Sequence, residues 1–171
     1  MGSTHKKLGK MADNNAKKAK VFSKLAKLIS VEAKKSGGNV SSPGLKAAIE
    51  KARKENMPSD NIERAIKKTD GAEMHPILFE FYGPGGVGIL ATGLTDSINR
   101  TSQEMRHLLD LHGTTLGGAG SVAWNFTKNN EGGWVATMKT EISPDDSEKL
   151  GELVDALEDR DDIQDVYTSA E

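Results

Sequence analysis

Apolar positions in the first part of the chain recur in steps of three and four, and in the second part they switch between alternation and helical spacing. Phe22, Leu25, Ala26, Ile29 and Ala33 fall on one face of a helix predicted over 16–35, which Gly37-Gly38 ends. Ser42-Pro43 places a serine cap and a first-turn proline ahead of a second helix, with Leu45, Ala48, Ile49 and Ala52 on its apolar side. A third helix begins at Pro58-Ser59, buries Ile62, Ala65 and Ile66, and closes at Asp70-Gly71. Three short amphipathic helices can cover one another, so 16–71 reads as a small helical domain. The polar residues 1–15 before it, with Lys6, Lys7 and Lys10, are expected to form a flexible basic arm.

After a linker over 72–76 the period changes. Ile77 to Tyr82 and Val87 to Leu94 are short apolar runs flanking Gly83-Pro84-Gly85-Gly86, the pattern of a β-hairpin. Met105, Leu108, Leu109 and His112 then return to helical spacing. Two caps compete for that helix: Thr101, which forms a capping box with Glu104, and Asn99. Gly113 is a C-terminal stop. The glycine-rich Gly117-Gly118-Ala119-Gly120 leads to a predicted strand in which Val122, Trp124 and Phe126 alternate. Trp134 to Met138 forms the next strand. Ser143-Pro144-Asp145-Asp146 opens a helix with Leu150, Leu153, Val154 and Leu157 on its buried face, and Ile163 to Thr168 is the last strand. The order ββαββαβ over 72–171 predicts an α+β two-layer sandwich with both helices on one sheet face.

Charge divides at the same place. The net charge of -2 conceals 17 Lys+Arg against 7 Asp+Glu in residues 1–70, and 6 against 18 in residues 71–171. The basic part would attract a polyanion and the acidic part would repel one, which implies two bodies with different partners. With no cysteine among the 171 residues, disulfides and thiolate metal sites are excluded. No apolar run nears the roughly 20 residues of a membrane helix. No secretory signal is visible, and a cytoplasmic protein is expected.

The lysines have a pattern of their own. Lys17, Lys20, Lys24, Lys27 and Lys34 fall on the side of the first helix away from its apolar face. Such a stripe is either a solvated surface or a phosphate-binding one, and the shortage of neighbouring acids favours phosphate. Few aromatics accompany the lysines, so base stacking is not indicated. Asn99-Arg100-Thr101 at a helix start could hold an anion, with Arg106 nearby. Alternatively Asn99 and Thr101 only cap, and the arginines pair with Asp96, Glu104 or Asp110. No Gly-Lys-Ser/Thr follows the glycine loops, so they are read as turns. His107 and His112 are five apart and do not stack as metal ligands would. No catalytic constellation, metal site or cofactor is expected.

The segments EFYGPGGVGI, LTDSINRTSQEMRH and LGGAGSVAWNF resemble the signature segments of the YebC family. KAKVFSKLAKLI, GLKAAIEKARKENMPSDNIERAIKK and LVDALEDRDDIQDVYTSAE extend the resemblance over most of the chain. It implies a DNA-binding transcriptional regulator, or a translational activator acting on RNA at the ribosome, as in the mitochondrial relative that activates cytochrome c oxidase translation. Family members carry a further α/β lobe between the strand near Trp134 and the helix after Ser143, and that lobe is expected to be absent. The tryptophan common near the start of many members is missing too. The alternative is a protein-interaction module in which the acidic sandwich binds a protein and the lysines only solubilise it.

Overall fold

The structure is a computed structural model that describes residues 3–68 and 70–171, with side chains described from residue 14 onward. It forms two compact units, 1–71 and 72–171.

The first unit has three helices: α1 (Ser3–Ser36), α2 (Pro43–Lys54) and α3 (Ser59–Lys67). Helix α1 begins at Ser3, not near Ala16, so residues 3–15 are helical where an arm was expected. Lys6, Lys7, Leu8, Lys10, Met11 and Ala12 are good helix formers, and no proline interrupts the stretch. The core is the predicted one. Leu25, Ile29 and Ala33 of α1 pack with Leu45, Ala48, Ile49 and Ala52 of α2 and with Ile62 and Ala65 of α3. The Ser30 hydroxyl donates to the Ala65 carbonyl at 2.9 Å, which ties α1 to α3. Helix α2 has no acid in its own first turn. Glu32 of α1 supplies one, since a Cβ on Gly44 would lie 2.1 Å from its Oε2. A carboxylate there suits the positive end of the α2 dipole.

The second unit follows the predicted order: β1 (His75–Tyr82), β2 (Gly88–Thr95), α4 (Ile98–Leu111), β3 (Phe126–Lys128), β4 (Trp134–Ala136), α5 (Pro144–Glu158) and β5 (Ile163–Thr168). The fold is α+β. Strands β1, β2 and β5 form one antiparallel sheet with β2 central, and β3 and β4 form a separate hairpin. Strand β1 starts two residues early and takes in Pro76, which an edge strand tolerates. Both helices cover one face, as predicted: Met105 and Leu109 of α4 and Leu150, Leu153 and Leu157 of α5 pack on Phe79, Phe81, Ile89 and Ala91. Alternation sends Leu90 to the opposite face, where Val122, Phe126 and Ala136 of the hairpin region cover it.

The cap of α4 is neither rival. Ser97 accepts from the Arg100 backbone N–H, while Thr101 is buried and shares a 2.7 Å hydrogen bond with Thr95. Gly113, at φ +71°, makes the expected stop. Ser143 caps α5 as predicted, accepting from the Asp146 N–H at 3.1 Å.

The strand predicted through Val122, Trp124 and Phe126 starts only at Phe126, and Ala123–Asn125 is a 3-10 turn. The cause is Glu80. This β1 residue is 5% exposed, and its carboxylate accepts from the backbone N–H groups of Gly120 (2.8 Å), Val122 (3.2 Å) and Ala123 (2.7 Å). Its own carbonyl accepts from Gly117 N–H at 2.7 Å. Those donors cannot serve a β-ladder, so the chain curls around the carboxylate. Gly117 is required for the approach, because a Cβ there would lie 2.9 Å from the Glu80 carbonyl oxygen.

Burial alone would push the Glu80 carboxyl up, but the three backbone donors outweigh it and hold the group below its ordinary value. A carboxyl whose folded pKa is lowered stabilises above its unfolded pKa and loses that stabilisation as pH falls through the folded one. We therefore expect Glu80→Gln to lower stability at neutral pH by about 2 kcal/mol, the scale of hydrogen bonds to a charged group. It should also flatten the decline of stability on acidification. Thermal melts of both proteins from pH 7 to pH 3 check this, and superimposable curves would contradict it. The segment 72–171 should melt cooperatively when isolated, since its core draws only on its own elements. A featureless calorimetric trace would speak against that independence.

Candidate nucleic-acid interface

The first unit presents its basic residues mainly along α1. From Lys17 to Lys34 the helix rises about 25 Å, at 1.5 Å per residue. Between Asn14 and Ser36 the sequence has one acidic residue, Glu32, and it pairs with Lys35 at 3.3 Å. Lys17 and Lys34 are exposed. Lys20, Lys24 and Lys27 are half-buried and engaged with neighbours. Val31, on the same side of the helix, is buried. The stripe is thus more embedded than a solvated face would be. Lysine stems can cover apolar surface while their ammonium groups reach water, so partial burial does not remove the charge. The second and third helices add exposed Lys46, Arg53, Lys54 and Lys67, and exposed Lys68 follows α3.

A cleft of about 510 Å³ lies between α2 and α3, and Lys46 and Arg53 share it with Glu50 and Glu63. Its mixed charge gives it no net pull on a polyanion.

In the second unit Arg100 spends its charge locally. Its guanidinium donates to Asp96 at 2.6 Å and lies 3.8 Å from Glu104. The Asp96 hydrogen bond, followed by that residue's charge, raises its pKa further. Arg160, in the turn after α5, binds both Glu104 and Asp162, so Glu104 joins the two arginines. Burial would push the Asp162 carboxyl up, yet Arg160 and then Thr101 hold it down. With Ser97 capping the helix start, pairing and capping describe this corner better than anion binding does. Arg106 is exposed on α4. His107 is exposed and His112 half-buried, and among the described residues no group of three His, Cys, Asp or Glu is placed to hold a metal.

Two features escaped the sequence reading. One is Glu80, whose position between Phe79 and Phe81 in a strand gave no sign of a buried anchor. The other is Trp124. Alternation placed it with Val122 and Phe126, but those two are buried and Trp124 is 63% exposed. Tyr82, 46% exposed, lies beside it.

Comparison with known proteins agrees with this architecture. The family model described as the TACO1/YebC protein N-terminal domain matches residues 4–72. The model of the TACO1/YebC second and third domain matches 74–131 and 127–170. A probable transcriptional regulatory protein of Thermotoga petrophila is 35% identical over 95% of this chain and 89% of its own length. One from Syntrophobacter fumaroxidans is 41% identical over 92% of this chain and 65% of its own length. The crystal structure of a conserved hypothetical protein from Aquifex aeolicus superposes with a TM-score of 0.78 at 28% identity, covering 91% of each chain. The Thermotoga alignment runs over 226 positions against 171 residues here, so that relative carries a segment this chain lacks. The two matched stretches meet at residues 127–131, which puts the junction at the β3–β4 turn, ahead of Trp134 and not after it. On this agreement of sequence and fold along nearly its whole length, the chain belongs to the TACO1/YebC family.

Proposed function

We propose that this chain is a non-enzymatic regulator of gene expression that grips nucleic acid through the phosphates, with the lysines of α1 as the main contacts. The observation that carries this is the segregation of charge: a small unit with its own core holds 17 of the 23 Lys+Arg and only 7 of the 25 Asp+Glu. The regulatory names of the relatives support it. Lys17, Lys20, Lys24, Lys27 and Lys34 are the proposed phosphate contacts. Arg106 is a secondary candidate, and Arg100 a weak one because of its carboxylate partners. Contacts to phosphate position a protein without reading sequence, so discrimination among sequences by this face should be slight.

Each phosphate contact releases counterions, so five contacts give a slope of log affinity against log salt of roughly -3.5 on single strands and -4.5 on duplex. Replacing Lys20, Lys24 and Lys27 with glutamine should make that slope shallower by about two to three units. Glutamine is nearly as good a helix former as lysine, so circular dichroism should show α1 intact. An unchanged slope with helicity retained would remove the lysine face from the interface. Failure of the wild-type protein to bind either nucleic acid, together with saturable binding of a protein by segment 72–171, would favour the interaction-module reading.

A further inference from the structure

An exposed tryptophan is costly surface, and this chain has two tryptophans in all. Trp124 is held in place. Its indole N–H donates to the Ser121 carbonyl at 2.9 Å and to the Tyr82 hydroxyl at 3.3 Å. The Tyr82 hydroxyl donates to the same Ser121 carbonyl at 2.8 Å. That carbonyl belongs to the loop whose next two residues are clamped by the buried Glu80 carboxylate. Two aromatic rings are therefore pinned by their polar tips to a rigid turn while much of their surface stays open.

The surroundings restrict what such a pair can bind. No charged residue occurs from Gly113 to Thr127, although the unit as a whole is strongly acidic. The carboxylate that does reach this loop, Glu80, is buried and met by three backbone N–H groups. Gly118 and Gly120 face open space, so the loop is uncrowded at both positions. A proline-rich peptide in an aromatic groove typically uses an indole N–H or tyrosine O–H to reach its carbonyls. Those donors are already committed within the protein. What remains on offer is π surface, which any base can use without hydrogen bonding.

We infer that Tyr82 and Trp124 form a stacking platform for unpaired nucleobases, so the nucleic acid bound by this protein is single-stranded where it crosses the second unit. The inference rests on the nucleic-acid reading above and narrows it. The bases of a duplex are stacked on each other and cannot reach the rings, whereas those of an unstructured strand can.

The test compares a short oligouridylate, a short duplex DNA and a proline-rich peptide as ligands of the full chain, by fluorescence anisotropy at one salt concentration. Trp124→Ala should weaken oligouridylate binding by roughly 5- to 140-fold, the worth of one stacked base. Duplex binding should be unchanged, and so should the salt slope on either ligand, because stacking releases no counterions. Trp124→Phe should retain most of the affinity. Trp124→Leu, which keeps apolar bulk without a π face, should behave like the alanine variant. Equal affinity of wild type and Trp124→Ala for oligouridylate, with the lysine variant still impaired, would overturn the platform and leave the phosphate grip standing. Wild-type affinity in Trp124→Leu would overturn stacking as the mode of contact. Loss of peptide binding with oligouridylate unaffected would assign the patch to protein instead. If the wild-type chain binds no oligouridylate, the platform and the grip on single strands fail together.

Discussion

A single buried carboxylate organises the acidic unit. Glu80 stands in an edge strand between Phe79 and Phe81, which face the helices, and its side chain points to the opposite side of the sheet. A charge there would be prohibitive without partners. Three backbone N–H groups of one loop satisfy it, and the loop's remaining geometry follows from that demand. Gly117 must lack a side chain, 123–125 must turn, and β3 cannot begin before Phe126. The same curl buries Val122 against Leu90 and leaves Trp124 outside. One electrostatic requirement thus sets both the packing on the second face of the sheet and the presentation of the aromatic pair.

The basic unit works on a different principle. Its helices are held by a compact apolar core, and its charge is a surface property of a long helix with few acids to neutralise it. Such a surface attracts any polyanion, and the attraction weakens with salt. The acidic unit carries the opposite sign and repels phosphate as a whole. On the proposed reading the chain combines an unselective grip with an aromatic platform, and its selectivity comes from the state of the bases more than from their identity.

Most of the fold was legible because it rests on periodicity. The three-helix core, the β1–β2 hairpin and the paired helices on one sheet face all follow from apolar spacing and glycine or proline punctuation. The misses share a cause: hydrogen bonds between residues far apart in sequence. Ser97 and not Thr101 caps α4, because Thr101 is drawn inward to Thr95. Trp124 sits outside because Glu80, about forty positions earlier, takes the N–H groups its strand needed. Alternation carries no information about such a competitor. Of the candidate site, the lysine stripe was readable, while the pairing of Arg100 was one of two open readings that only side-chain placement could separate.

On the proposed reading the α1 lysines, and not lysines in general, lie against the phosphates. Amine-reactive footprinting read by mass spectrometry tests it residue by residue in the intact protein. With saturating oligouridylate at low salt, Lys17, Lys20, Lys24, Lys27 and Lys34 should be protected, while Lys139 and Lys149 in the acidic unit should react as in the free protein. Protection confined to the acidic unit, or spread evenly over all lysines, would contradict it.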